Sequence, residues 1–366
     1  MKIFEEGKAK IYVFENVFYN PLAKFSRDVG IAFVTEISKL MKRKLKICEP
    51  LAATGVRAVR YYLESNSIEK MTVNDIEYEA YNNILKNLEI NNIKDVAEVF
   101  CKDANLLLNE KAKKGSRFDF IDIDPYGTPM PFIQSATRAL AHKGYLAITA
   151  TDTAALCGVA TKACIRKYMS TPLRNEFMHE IGLRILIGAS IRNAAINEVA
   201  LEPVVAHSTM HYMRAYFRYY VSSSKTDEIL EKNGYLLYCF NCLWRDFHFG
   251  LKPDFSKYCP LCNNKIEIAG PLWLGKIIDK EIVKGMINFG IREVSELCSI
   301  LIEEDELPPF YYNLDAISSK LKVSSPKISS VIEKLKSLGF KASRTHFSTK
   351  GIKTNATIKE IINLIR

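Results

Sequence analysis

Short apolar segments alternate with segments of helical spacing through the first half of the chain. The apolar segments have the length of buried strands, and the intervening segments repeat apolar residues every three or four positions, as one face of a helix does. The predicted strands cover residues 44–49, 71–75, 96–101, 118–123 and 144–149. Helices are predicted between them, over residues 56–64, 77–91 and 131–140 among others. Strands separated by helices predict a parallel, doubly wound α/β sheet, which binds ligands beyond the carboxyl ends of its strands.

This alternation changes after the fifth predicted strand. Residues 175–197 have the spacing of a long helix, and residues 202–208 and 212–221 are predicted as two strands joined by a tight connection. Such a hairpin must be antiparallel. A parallel five-stranded core finished by a helix and an antiparallel hairpin resembles the Rossmann-like fold of class I methyltransferases, which use S-adenosylmethionine. A fold does not establish an activity, so the chemistry has to come from the strand ends.

Three predicted strands end in acidic or small residues. The first runs into Glu49-Pro-Leu-Ala-Ala-Thr-Gly55, which lets a helix N-terminus approach a ligand but lacks the GxGxxG spacing of NAD enzymes. The second ends at Asp75, where an acid typically accepts hydrogen bonds from ribose hydroxyls. The third precedes Asp103-Ala104, whose carboxylate and amide suit an adenine ring. Each acid alone is equally consistent with an ordinary surface residue, but together they predict a nucleoside site.

The fourth strand ends in Asp124-Pro-Tyr-Gly127. Proline interrupts the strand, so the carboxylate of Asp124 and the carbonyl of Pro125 become two free acceptors. Two acceptors match an exocyclic amino group, which has two protons to donate, and holding both aims its lone pair at a methyl sulfonium. Tyr126 offers a face on which a base can stack. These residues favour methyl transfer to a nucleobase amino group, and an ordinary turn is the alternative.

Five segments of the chain together resemble the tRNA guanine-26 N2,N2-dimethyltransferases of archaea and eukaryotes. They are VFYNPLAKFSRD from Val17, EPLAATGVRAVRY from Glu49, CKDANLLL from Cys101, DPYG from Asp124 and TDTAALCG from Thr151. The resemblance extends over nearly the whole chain. It implies that two methyl groups pass from S-adenosylmethionine to the N2 amine of guanosine 26 in tRNA.

The resemblance also implies roles for individual residues. Asp124 would be the catalytic acid, and Tyr126 and Phe18 would be the aromatic rings that enclose the target base. Other members have phenylalanine where this chain has Tyr126. The contacts to the methyl donor would come from Arg27, Arg57, Asp75, Asp103 and Ala104. From the residues alone, each arginine suits the donor's carboxylate but could instead lie on the surface.

Four cysteines have the spacing of a zinc ribbon. They are Cys239, Cys242, Cys259 and Cys262, two CxxC pairs separated by sixteen residues. Two such pairs at this separation predict a closed, tetrahedral and therefore structural Zn²⁺ site. Redox-active cysteine pairs are the alternative.

The C-terminal part is predicted as a separate domain. We expect a methyltransferase domain with an N-terminal extension over residues 1–225 and a C-terminal domain over residues 226–366. The latter would contain the zinc ribbon at about 235–270 and a winged-helix-like α+β module at about 275–366. Such modules often bind nucleic acid, and the cations that could contact tRNA phosphates are Lys320, Lys327, Lys334, Lys336, Lys341 and Arg344. A solvated basic face on a packing domain is the alternative.

Tyrosines and arginines alternate over residues 212–221, so they share one face of the predicted strand. They are Tyr212, Arg214, Tyr216, Arg218 and Tyr220. This face is expected either to bind RNA or to lie beneath helices.

Composition narrows the class of protein further. A formal net charge of +10 over 366 residues favours an anionic partner. No apolar run approaches the roughly 20 residues that span a bilayer, and the N-terminus lacks a signal-peptide layout. We therefore expect a cytoplasmic monomer that binds tRNA, with no membrane contact and no obligatory protein partner. The alternatives are another amino-group methyltransferase, acting on adenine N6 or a small substrate, and a noncatalytic RNA-binding protein.

Overall fold

The computed structural model describes residues 2–252 and 254–366. Strands and helices alternate along the first part of the chain. The strands of this part are β1 (Lys2–Glu6), β2 (Ala9–Val13), β3 (Leu45–Glu49), β4 (Ile68–Asp75), β5 (Ala97–Cys101), β6 (Phe118–Ile123), β7 (Leu140–Ala150), β8 (Val199–Thr209) and β9 (Tyr212–Val221). The helices are α1 (Lys24–Met41), α2 (Val56–Ser65), α3 (Tyr78–Ile90), α4 (Ala104–Lys111), α5 (Ile133–Ala139), α6 (Thr153–Leu156), α7 (Thr161–Tyr168), α8 (Met178–Ala195) and α9 (Ser223–Leu230).

Seven of these strands form one sheet in the order β5-β4-β3-β6-β7-β9-β8. The pairs among β3 to β7 are parallel, whereas β9 is antiparallel to both β7 and β8. All six residues of β6 are buried, as expected for a central strand covered by helices on both faces. The predicted parallel core and antiparallel hairpin are confirmed. The carboxyl ends of the parallel strands consequently share one edge of the sheet.

Strands β1 and β2 form a hairpin, and β2 packs against α2 and α3. The outer edge of β2 is occupied by asparagines spaced four residues apart, two in α3 and one directly after it. The amides of Lys10, Tyr12 and Phe14 donate to the side chains of Asn91, Asn87 and Asn83 over 3.0, 2.7 and 3.0 Å. This ladder fixes the N-terminal extension, whose next segment carries Phe18.

The C-terminal part contains two small sheets and five helices within the described residues. Its elements are β10 (Asn233–Tyr238), β11 (Arg245–Phe249), β12 (Glu267–Trp273), α10 (Lys280–Ile287), α11 (Arg292–Glu304), β13 (Tyr312–Asn313), α12 (Leu314–Leu321), α13 (Ile328–Ser337), β14 (Ala342–Thr345), β15 (Ser348–Thr354) and α14 (Ile358–Ile365). The sheets have the orders β11-β10-β12 and β13-β15-β14. Helices α12 and α13 followed by the β14–β15 hairpin form the predicted winged-helix arrangement. The boundary between residues 225 and 226 stays a prediction.

A buried ion cluster joins the C-terminal elements to α8, a helix that packs on the seven-stranded sheet. Lys353 of β15 lies 2.9 Å from Glu180 of α8 and 3.2 Å from Glu304 of α11. His346 lies 2.7 Å from the same Glu304. One hydrophobic core also runs from Ala9 to Ile361. The two parts of the chain are therefore packed against each other through polar and apolar contacts.

Helix α1 covers the inner half of the tyrosine and arginine face of β9. Tyr212, Arg214 and Tyr216 are buried, and the ring of Tyr216 lies 4.4 Å from that of Phe33 in α1. RNA binding by these residues, one of the two alternatives for this face, is therefore wrong. Arg218 and Tyr220 are partly exposed but bond to neighbouring side chains.

No helix within residues 2–252 and 254–366 is long and apolar enough to cross a membrane.

Candidate active site and cysteine cluster

The acids predicted to bind the nucleoside lie at neighbouring strand ends. Asp75 at the end of β4 accepts from the amides of Ala53 (2.7 Å) and Glu77 (3.1 Å). Asp103 precedes α4 and accepts from the amide of Leu106 over 2.9 Å, and Ala104 is the first residue of that helix. An ionised carboxylate has about four acceptor positions, so these bonds leave capacity for a ligand. The structure brings this predicted set to one edge.

The loop after β3 presents the N-terminus of α2 to the same edge. Gly55 has φ 71°, a left-handed conformation that L side chains rarely adopt. Glu49 at the end of β3 accepts from the amide of Ala58, in the first turn of α2, over 2.9 Å. Burial raises the pKa of Glu49 to about 8; Arg57 opposes this increase and Asp122 adds to it. Glu49 is therefore mainly protonated at pH 7.

Arg57 lies against the acid at the end of β6. Its Nη2 forms a hydrogen-bonded ion pair with Asp124, and its Nε lies 3.6 Å from Asp122 and 3.8 Å from Glu49. Arg57 is buried, whereas 28% of the Asp124 side chain is exposed. A residue predicted to contact the donor thus contacts the predicted catalytic acid. Nη1 of Arg57 is buried and has no hydrogen-bond partner within the described part of the chain.

Asp122 lies behind Asp124 in a buried network. It accepts from the hydroxyl of Tyr61 and from Nη2 of Arg214, each over 2.6 Å. Burial alone would raise the pKa of Asp122, but Arg214 and Arg57 lower it below its usual value. Arg214 also donates to Thr149 over 2.5 Å. The sequence did not reveal this role of Arg214. The alternation of tyrosine and arginine along β9 placed Arg214 on one face of the strand but did not show which residues cover that face.

Phe18 and Tyr126 are in direct contact beside Asp124. Their ring centroids lie 4.7 Å apart, and their planes meet at 65°. Both rings are accessible, with Phe18 50% and Tyr126 73% exposed. A base lying flat between two parallel rings needs about 7 Å, twice a van der Waals contact distance. The structure brings the two predicted rings together, and stacking a base between them requires them to separate.

The turn that carries Tyr126 is held by the residue after β7. The amide of Gly127 donates to Oγ1 of Thr151 over 2.7 Å, and the amide of Thr151 donates to the carbonyl of Gly127 over 2.9 Å. Sequence reasoning assigned Thr151 no role. Only the segment TDTAALCG, which begins at Thr151 and is one of the five segments of the family resemblance, could have pointed to this residue.

Arg27 is buried in α1 and is bound by the N-terminal hairpin. Glu6 accepts from its Nε over 2.6 Å and also from its Nη2, which reaches the carbonyl of Asn20 over 3.0 Å. Arg60 donates to the same Glu6 over 2.8 Å. The alternative that Arg27 and Arg57 lie on the surface is therefore wrong, because both are at most 5% exposed.

The four predicted cysteines form one cluster. Their sulfur atoms all lie within 4.8 Å of one another, and the pairs Cys239–Cys262 and Cys242–Cys259 are 3.5 Å apart. Zinc–sulfur bonds of about 2.3 Å in a tetrahedron place sulfurs about 3.8 Å apart, so the cluster fits this ion. The amide of Leu261 donates to the sulfur of Cys259 over 3.4 Å. Such a bond suits a thiolate ligand.

Comparisons with known proteins agree on one family. A family model described as N2,N2-dimethylguanosine tRNA methyltransferase matches residues 1–366. A tRNA (guanine(26)-N(2))-dimethyltransferase from Methanosphaera stadtmanae is 39% identical, over 99% of this chain and 96% of its own. A tRNA (guanine(26)-N(2)/guanine(27)-N(2))-dimethyltransferase from Aquifex aeolicus is 36% identical, over 99% and 95%. A solved complex of Trm1 from Pyrococcus horikoshii with S-adenosyl-L-methionine has a TM-score of 0.88 and 33% identity, and each chain is covered completely.

Proposed function

Because the chain belongs to the N2,N2-dimethylguanosine tRNA methyltransferase family, we propose that the turn from Asp124 to Gly127 carries its chemistry. The protein is an S-adenosylmethionine-dependent tRNA (guanine(26)-N(2))-dimethyltransferase. The observation that carries the residue assignment is the position of Asp124. It is a partly exposed carboxylate that directly follows a fully buried strand and adjoins two accessible aromatic rings.

Asp124 and Pro125 orient the nucleophile. The guanine N2 group donates one hydrogen to the carboxylate of Asp124 and the other to the carbonyl of Pro125, which directs its lone pair at the methyl group. The donor supplies an electrophilic methyl on a positively charged sulfur. As the nitrogen–carbon bond forms, the sulfur–carbon electron pair stays on sulfur, and Asp124 accepts the proton that nitrogen loses. The partial exposure of Asp124 allows this proton to pass to water.

The same two acceptors serve the second transfer. After the first methylation N2 retains one proton, which either Asp124 or Pro125 can hold while the other faces the new methyl group. Phe18 and Tyr126 stack on the base in both rounds. Stacking contributes about 1–3 kcal/mol per base.

The methyl donor is held by the residues around this turn. Asp75 accepts from the ribose hydroxyls, and Asp103 and Ala104 contact the adenine. Nη1 of Arg57 has no partner among the described residues, and it can donate to the donor's carboxylate while Nη2 keeps its pair with Asp124, provided that the pocket opens to expose this buried nitrogen. Arg27 has less support as a donor contact, because Glu6 and Asn20 engage its Nε and Nη2.

We propose that the C-terminal part contributes to the binding of tRNA. We propose that the four cysteines hold one structural Zn²⁺, which would fix the loops between β10 and β12. In the winged-helix arrangement, Lys320 donates to the carbonyl of Phe240, and Lys341 pairs with Glu306. The cations left for phosphates, exposed and without an ion pair among the described residues, are Lys327, Lys334, Lys336 and Arg344. A cytoplasmic monomer that needs no obligatory protein partner remains our expectation.

Replacement of Asp124 tests the assignment. We expect the parent to convert guanosine 26 of a tRNA transcript to N2,N2-dimethylguanosine, detected with labelled donor after digestion to nucleosides. Asp124→Asn keeps the shape but cannot accept the proton, and Asp124→Ala removes the acceptor. Both variants are expected to lose at least about a hundredfold in kcat, the lower range for general-base catalysis, while still binding the donor.

Two outcomes would contradict these conclusions in different ways. Turnover of Asp124→Ala within tenfold of the parent would contradict its catalytic role. Methyladenosine as the parent's product would instead favour the alternative amino-group methyltransferase. A melting curve of each variant separates loss of chemistry from loss of fold.

A further inference from the structure

A basic surface beside the aromatic pair has no role in the mechanism above. It consists of α7 and the loop that follows, and we call it the α7 surface. Its exposed Lys167 pairs with Asp152, and its other exposed cations are Lys162, Arg166 and Arg174. None of the three forms an ion pair or side-chain hydrogen bond within residues 2–252 and 254–366. Lys162 and Arg166 are four residues apart and therefore lie on the same side of the helix.

The α7 surface is anchored next to the reacting turn. Asp152 accepts from the hydroxyl of Tyr168 at the end of α7 over 2.6 Å and from Lys167 over 2.9 Å. Asp152 follows Thr151, which exchanges two backbone-directed hydrogen bonds with Gly127. Gly127 directly follows Tyr126 in the sequence, so these hydrogen bonds connect α7 to the turn that carries Tyr126. The cations of α7 thus have a fixed position relative to the ring on which the target base stacks.

The charge of this segment is not neutralised locally. Residues 151–174 contain four cations, Lys162, Arg166, Lys167 and Arg174, against the single acid Asp152, a balance of +3. That acid is already engaged by Lys167. The next acid along the chain, Glu176, pairs with Arg245 over 2.8 Å and accepts from Tyr238. Uncompensated, exposed cations beside a nucleotide-binding turn favour a polyanion.

We propose that the α7 surface binds the tRNA phosphates that flank the target nucleotide. This inference rests on the proposed function, since it needs the target base to stack at Tyr126. A base held there brings its own backbone to the rim of the site, where Lys162 and Arg166 can contact the neighbouring phosphates. Such contacts hold the substrate in register and carry no sequence information themselves.

The double variant Lys162→Ala/Arg166→Ala tests the proposal. Dissociation constants for a tRNA transcript are measured without turnover between 50 and 300 mM salt, and kcat at saturating tRNA is measured separately. Losing two phosphate contacts is expected to weaken binding about tenfold at 150 mM salt and to reduce the slope of log affinity against log salt by about 1.5. Donor affinity and kcat are expected to stay unchanged.

A matched control removes the same charge from the opposite edge of the sheet. Lys113 and Lys114 are exposed, precede β6 and form no ion pair within the described residues. The variant Lys113→Ala/Lys114→Ala is expected to bind tRNA within about twofold of the parent. The variant Lys162→Arg/Arg166→Lys keeps both charges and is expected to bind tRNA as tightly as the parent does.

Several results would overturn the proposal. Unchanged affinity and salt slope in Lys162→Ala/Arg166→Ala would do so, and so would equal weakening by the Lys113/Lys114 control, which would reduce the effect to overall charge. A parent that binds tRNA but transfers no methyl group would contradict the proposed function instead. The binding series distinguishes these failures because it does not depend on turnover.

Discussion

Removal of the charge on Asp122 is expected to destabilise the protein severely. The substitution Asp122→Asn keeps the side-chain shape but leaves Arg214 buried with only neutral partners, and it takes one acid from beside Arg57. Breaking a buried pair from one side costs about 3–5 kcal/mol. Because the amide oxygen can still accept from Tyr61 or Arg214, we expect the lower end, about 3 kcal/mol. That is a large fraction of a typical folding free energy of about 5–15 kcal/mol.

Urea unfolding of two variants in the same strand measures this effect. Asp119 also belongs to β6 but faces the other side, where it pairs with the half-exposed Arg43 and accepts from the amide of Lys46 over 2.9 Å. A partner in contact with water contributes little, so Asp119→Asn is expected to cost about 1 kcal/mol. If the two variants have equal m-values, a difference between their urea midpoints reports a difference in the free energy of unfolding.

A double-mutant cycle isolates the pair itself. Combining Asp122→Asn with Arg214→Met removes both buried charges, so the double variant is expected to cost about 1–3 kcal/mol less than the sum of the single variants. Additive costs would refute the pairing of Asp122 with Arg214. A loss in Asp122→Asn no larger than in Asp119→Asn would refute the reasoning from burial.

Three further substitutions have defined outcomes. Cys259→Ser is expected to release about one zinc per chain, as measured by elemental analysis, and retention of the metal by a folded variant would contradict the assignment. Because the native pKa of Glu49 is about 8 and its ordinary value is near 4.5, the native state holds an extra proton between these values. The parent's free energy of unfolding should therefore fall, relative to Glu49→Gln, as pH rises from about 5 to 8, and parallel pH profiles would disprove this. Thr151→Val removes the acceptor for the amide of Gly127 and is expected to lower kcat roughly tenfold with little change in KM, whereas Thr151→Ser should keep activity.

The sequence predicted the elements that carry the site because their patterns are local. The apolar run before Pro125 predicted β6 with its observed ends, and the spacing of acids after successive strands predicted their common edge. Parallel strands bring their carboxyl ends together whatever the loops between them contain. Asp75, Asp103 and Asp124 could therefore be placed without any knowledge of distant contacts.

The pairings within the site could not be predicted in this way. Arg57 and Asp124 are 67 residues apart, and Asp122 and Arg214 are 92 apart, so their contacts depend on how helices pack on the sheet. The period of β9 showed that its tyrosines and arginines share a face but not what covers that face. Nothing in the sequence indicated that Glu6 is the partner of Arg27. Glu6 lies in β1, whose position depends on the hydrogen bonds between β2 and the asparagines of α3.

The contact between Phe18 and Tyr126 has a consequence for substrate selection. An edge-on aromatic pair is worth about 0.5–1.5 kcal/mol, and a base that enters must first give up that contact. Stacking on the two rings returns about 1–3 kcal/mol for the base, and the larger ring system of a purine covers more of both rings than a pyrimidine does. On the proposed roles, the closed pair imposes an entry threshold that a broad, flat base passes more readily than a small one. Discrimination between nucleotides thus begins with ring area, before any hydrogen bond to the amino group has formed.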